Sequence, residues 1–172
     1  MSVSKAVLLS LVTSLVLSRV DYGNATLVGL PARQLCRLQS VLHAAARIVF
    51  SARKYDHVTP LLRELHWLRV PERITFKLAS LVFRCFNGTA PVYLADSINR
   101  AADVGTRRSL RSSSSTAVVV PVTRCSTIGD RAFPVAAARA WNSKSLPSFV
   151  TSSSSLSTFK RHLKTYLFAA SY

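Results

Sequence analysis

Residues 56–88 read DHVTPLLRELHWLRVPERITFKLASLVFRCFNG, and this stretch decides the fold. Thr59 followed by Pro60 starts a short helix, because threonine caps free amides and proline fits the first helical position. Leu61, Leu62 and Leu65 give that helix one apolar side. His66, Trp67 and Leu68 interrupt it, and Pro71 opens a second helix. There Ile74, Leu78, Leu81, Val82, Cys85 and Phe86 recur at helical spacing, while Arg73, Lys77 and Arg84 fall on another side. Asn87-Gly88 ends it, since glycine enters the left-handed region at a helix C-terminus without steric cost. The expectation is an amphipathic helical hairpin with a cationic outer edge.

Working outward, the N-terminal run from Lys5 to Val20 predicts a core helix that buries Val7, Leu8, Leu11, Val12 and Leu15. Its charged start and apolar run also resemble a signal peptide. Ser10, Thr13, Ser14 and Ser18 dilute it, however, and no small-residue cleavage site precedes Arg19. It is short for a membrane span. Asp21-Tyr22-Gly23-Asn24 is a turn by composition. The next helix begins near Pro31, with Leu35, Leu38, Leu42, Ala45 and Val49 on its buried side and Arg33, Arg37 and Arg47 on the far side. Ala44-Ala45-Ala46 would let another helix approach closely, and Arg53 and Lys54 fall in the loop beyond.

After Gly88 a short helix from Pro91 carries Tyr93, Leu94 and Ile98. Residues 99–116 are rich in Arg and Ser, with Arg107, Arg108 and Arg111 close together, and read as a basic loop. Val118, Val119 and Val120 before Pro121 read as a strand, with residues 122–128 as its partner. Helices follow up to Trp141-Asn142 and again from Leu156, whose Phe159, Leu163 and Leu167 oppose Lys160, Arg161 and Lys164. The fold class expected is mainly α: amphipathic helical hairpins with one small β-hairpin-like element in the C-terminal half. Three parts are expected: helical residues 1–98, the basic loop 99–116, and a small C-terminal subdomain 117–172.

In 172 residues there are 23 Lys+Arg against 7 Asp+Glu, a net charge of +16. That excess points to polyanions, either nucleic acid or an anionic surface. Cys36, Cys85 and Cys125 are scattered with no CxxC pair, which excludes a disulfide framework and a structural zinc site and implies a reducing compartment. Cys36 and Cys85 are expected on apolar helix faces. There is no GxxxxGK[ST] loop, GxSxG elbow or HExxH pair. His57 and His66 flank the first helix without a neighbouring cysteine, so no metal site is expected there. Trp67 and Trp141 each have two uses, core packing or stacking on an unpaired base, and their apolar neighbours favour packing.

LLRELHWL, ERITFKL and FNGTAPVYL, all between Leu61 and Leu94, resemble the region just after the polymerase core in reverse transcriptases of LINE-type (non-LTR) retrotransposons. The likeness is to the jockey-like and chicken-repeat-like groups. SRVDYGNATLVGLP (18–31), LQSVLHAAARIV (38–49), RSLRSS (108–113), GDRAFPVAAARAWN (129–142) and LSTFKRHLKTYLF (156–168) continue the resemblance in the family's order over nearly the whole chain. Two positions depart from the pattern. Gly23 stands where the family has cysteine, and Lys144-Ser145 looks like an insertion before Leu146-Pro147.

The resemblance implies the thumb and post-polymerase segment of an RNA-directed DNA polymerase, with Met1 a start inside a longer frame. A reverse transcriptase holds two magnesium ions on closely placed carboxylates. Asp21, Asp56, Glu64, Glu72, Asp96, Asp103 and Asp130 are all isolated, so these residues encode no polymerase active site. No cofactor is expected in this chain, magnesium belonging to the missing palm. The implied partners are an RNA/DNA template-primer duplex and the upstream palm and endonuclease domains. Neither a small-molecule substrate nor stable membrane insertion is implied, and the expected location is intracellular, nuclear or cytoplasmic. The candidate phosphate contacts are Arg33, Arg37, Arg47, Arg53, Lys54, Arg73, Lys77, Arg84, Arg107, Arg108 and Arg111. Two alternatives stand beside this: a degenerate transposon remnant with no activity, and a secreted or membrane-surface cationic protein.

Overall fold

The computed structural model describes residues 3–103, 116–143 and 146–172, excepting the side chain of Ser126. It is mainly α-helical, in the order α1 (Lys5–Val12), a π-turn (Thr13–Leu17), α2 (Ser18–Asp21), a 3-10 turn (Asn24–Leu27), α3 (Ala32–Phe50), α4 (Thr59–Glu64), α5 (Val70–Phe86) and α6 (Val92–Ala95). A 3-10 turn (Ala101–Asp103) follows, then α7 (Ser126–Gly129), α8 (Phe133–Asn142), α9 (Ser148–Thr151) and α10 (Leu156–Ser171). Among the described residues no helix is long and apolar enough to cross a membrane.

Two compact units emerge, Met1–Ile74 with Tyr166–Tyr172, and Thr75–Thr165. Their boundaries fall inside α5 and α10 rather than in the 99–116 segment. Most of that segment (residues 104–115) lies outside the described residues, as does Lys144-Ser145.

In the first unit α3 behaves as its periodicity predicts. Leu42, Ala45, Ala46 and Val49 are buried, Leu35 and Leu38 half-buried. α1 and α4 pack on α3, whose Ala45 and Ala46 are buried. The core is completed by Leu62, Trp67, Leu68, Val70 and Ile74. α4 starts one residue earlier than its cap was expected: Val58 is the N-cap, Thr59 and Pro60 are already helical, and no side chain caps the free amides.

The N-terminal helix forms, but its buried side differs from the expected one. Val12 and Leu17 are buried, whereas Val7 (49%), Leu11 (48%) and Leu15 (66%) are exposed. Ser14 Oγ donates to the Leu11 carbonyl and Ser18 Oγ to that of Ser14, hydroxyl bonds that compete with the regular ladder. The Ser18 amide reaches back five residues to Thr13, so one turn is wide. That turn hands the buried position from Val12 to Leu17, five residues on, instead of to Leu15.

Three helix ends turn through the left-handed region: Ser51 (φ 51°), His66 (φ 51°) and Gly88 (φ 64°). Each closes with paired backbone bonds. Trp67 N–H reaches Leu62 and His66 N–H reaches Arg63, both at 3.0 Å, while Thr89 N–H reaches Arg84 at 3.0 Å. Gly88 adopts this conformation freely, whereas Ser51 carries a Cβ that disfavours it. Ser51→Gly is therefore expected to raise stability by about 1 kcal/mol, measured by urea unfolding. A loss of stability would mean that α3 does not end at Ser51 as described.

In the second unit Leu78, Ala79, Val82 and Phe83 of α5, Val135–Ala138 and Trp141 of α8, Val150, and Phe159 and Leu163 of α10 are all buried. Phe159 stacks on Phe83 at 4.3 Å between centroids, and Trp141 meets Phe86 edge-on at 5.3 Å. Among the described residues, one antiparallel bridge between Arg100 and Val118 stands where the β-hairpin was expected. Residues 122–128 do not return as its partner, because Ser126–Gly129 is helical. The Asn142 side chain takes the partner's role. It accepts from the Val118 amide at 2.8 Å and donates to the Val118 carbonyl at 2.6 Å. Gly129 is required by space, since a Cβ there would meet the Thr123 Cβ at 2.6 Å.

Candidate nucleic-acid interface

Among the described residues, the cations expected to touch phosphate are either free or already committed. On α3, Arg33 and Arg37 lie one turn apart, both exposed, and neither guanidinium has a partner among the described residues. Arg47 does not join them. It is half-buried and its Nη2 donates to the Asp56 carbonyl at 3.2 Å, so it braces the loop that follows α3.

That loop is a closed turn. Asp56 Oδ2 accepts the Arg53 amide at 2.6 Å, and the Asp56 amide donates to the Arg53 carbonyl at 3.1 Å. Arg53 and Lys54 are exposed on it. The Lys54 ammonium is 5.9 Å from the ring of Tyr55, which is itself 89% exposed.

Arg73 is a correction to the expected set. Its side chain donates to both oxygens of Asp21, at 2.7 and 2.9 Å, and to the Leu68 carbonyl at 2.9 Å. Asp21 also accepts from Asn24 at 3.0 Å, so the DYGN turn is tied to the start of α5. Only 11% of the Arg73 side chain is exposed, and periodicity could not reveal a partner 52 residues away. Arg84 is likewise occupied, with Nη2 on the Thr89 carbonyl at 2.7 Å beyond the end of α5. Lys77 is exposed. Arg107, Arg108 and Arg111 lie outside the described residues.

Lys160, Arg161 and Lys164 of α10 were not among the candidates, yet all three are exposed within one turn. The signal was in the sequence: no Asp or Glu follows Asp130. Among the described residues there are three ion pairs, Lys5–Glu64, Arg73–Asp21 and Arg139–Asp130. The Arg139 hydrogen bond holds the Asp130 carboxyl below its usual range. Burial, with Arg47 and Arg69 nearby, pushes the His43 imidazole down and favours the neutral ring, which meets Gln39 Nε2 at 2.9 Å.

Trp67 and Trp141 are 7% and 4% exposed, which makes them packing residues. His66 is exposed, and its ring meets Phe168 at 5.5 Å. Cys36 lies on the exposed side of α3 rather than on the apolar face, while Cys85 is half-buried and its thiol is pushed up by that burial. No group of three or more His, Cys, Asp or Glu is placed to hold a metal among the described residues. No family model, curated protein or solved structure matches this chain.

Proposed function

We propose that the chain is a non-catalytic piece of a LINE-type reverse transcriptase that binds an RNA/DNA template-primer duplex through its phosphates. The observation that carries the reading is the set of free, exposed cations, Arg33 and Arg37 foremost, in a chain of net charge +16 with three ion pairs among its described residues. Helix surfaces normally intersperse carboxylates among their cations; α3 carries none. Such contacts neutralise phosphates without reading bases, so affinity would be independent of sequence and steep in salt. The motif resemblance supplies the polymerase context.

Fluorescence anisotropy with a labelled RNA–DNA hybrid, titrated from 50 to 200 mM salt, tests this. Each contacted phosphate contributes roughly 0.9 to the slope of log K against log salt. The double variant Arg33→Gln/Arg37→Gln is expected to flatten that slope by about 2. Arg73→Gln should leave the slope alone and lower stability instead, because its guanidinium is held by Asp21. Absence of hybrid binding by the unaltered protein at 50 mM salt sinks the reading.

A further inference from the structure

We propose that the turn after α3 is a stacking platform for an unpaired nucleotide base, with Tyr55 supplying the ring and Arg53 and Lys54 holding the adjoining phosphates. The proposal deepens the duplex-binding reading by assigning a single-stranded element of the same ligand to one turn.

Three observations converge there. Tyr55 is 89% exposed, although a ring of that size gains from burial wherever the chain allows it. The turn that presents it is held closed rather than loose. Asp56 accepts the Arg53 amide and donates back to the Arg53 carbonyl, and Arg47, reaching out from α3, fastens the Asp56 carbonyl. A ring carried on a braced turn spares the backbone ordering that binding would otherwise cost. Finally, exposed Arg53 and Lys54 immediately precede the ring, and the Lys54 ammonium lies 5.9 Å from its centroid.

Cations beside an accessible aromatic are what single-strand binding uses: the charges track the phosphates and the ring takes a base, whatever its identity. The two tryptophans cannot do this, since both are buried. Arg47 acts here as a positioning residue, because it touches the turn and not the base.

The test compares three fluorescein-labelled probes with the full chain: a 12-nucleotide single-stranded DNA of mixed sequence, a blunt RNA–DNA hybrid, and the same hybrid with a 6-nucleotide single-stranded overhang. Tyr55→Ala is expected to weaken binding of the single strand and of the overhang probe by about 5- to 100-fold, the usual loss per stacked base. The blunt hybrid should be held as before. Tyr55→Phe keeps the ring and should bind like the unaltered protein. Tyr55→Trp places an exposed indole on the turn, and its fluorescence should be quenched by the single strand. If Tyr55→Ala binds all three probes unchanged while the blunt hybrid is still held, the platform is overturned and the duplex reading survives. If the unaltered protein binds none of the probes, both fall.

Discussion

Phe159→Ala is expected to destabilise the second unit by about 3–5 kcal/mol, the range for removing a large aromatic from a closed core. Phe159 is fully buried and lies between two rings, Phe83 at 4.3 Å and Trp141 at 5.9 Å, both at 20° to its plane. Neither neighbour is free to collapse into the space. Trp141 is tethered by its indole N–H on the Thr116 carbonyl at 2.8 Å, and Phe83 is held in the last turn of α5. Whole domains have only about 5–15 kcal/mol to lose, so the variant should show a clearly lowered denaturation midpoint by circular dichroism. A loss under about 1 kcal/mol would show that these rings are not packed as described.

The second large effect is expected at Asn142, a residue that looks dispensable from its own exposure. Its amide satisfies both backbone groups of Val118, which is 3% exposed. Asn142→Leu preserves the bulk and removes both partners, orphaning a buried donor and a buried acceptor. The expected cost is about 2–6 kcal/mol, one desolvation penalty for each group. Asn142→Ala should cost less, because the vacated space admits water to the same two groups. The order of the two variants is the discriminating result. If alanine is the worse substitution, packing rather than hydrogen bonding is what Asn142 contributes.

That residue also explains where sequence reading stopped. α3, α5 and α10 were legible because their apolar residues occupy a narrow arc, so periodicity alone assigns the inner side: Leu42, Ala45 and Val49 in one, Leu78 and Val82 in another, Phe159, Leu163 and Leu167 in the third. Lys5–Leu17 was not, since valine and leucine surround that helix and no arc is singled out. The run Val118–Val120 carries a local strand signal, and what satisfies it is a side chain 24 residues further on. Nothing near Val118 in the sequence announces Asn142.

The cations divide in the same way. Their helical spacing placed Arg33, Arg37, Arg73, Lys77 and Arg84 on outward sides, and exposure holds for Arg33, Arg37 and Lys77. Arg73, Arg84 and Arg47 are bound by groups that only the folded chain brings to them. The strings that carry the family resemblance supply two internal ion pairs: DYGN to ERITFKL through Asp21 and Arg73, and GDRAFPVAAARAWN to itself through Asp130 and Arg139. Those residues serve architecture.

The wide turn at Thr13–Leu17 bears on how this chain tolerates change in length. A five-residue repeat absorbs one residue beyond the regular α-helical ladder, which keeps Val12 and Leu17 on one face. The number of residues between the two is thereby uncoupled from the direction in which α1 points its side chains. Loss of a residue there would tighten the turn to an ordinary one and leave the flanking faces aligned. Elsewhere in these helices, the same loss would swing everything beyond it by about 100°. The first helix thus carries a built-in allowance for the loss of one residue, while α3, α5 and α10 are fixed in phase.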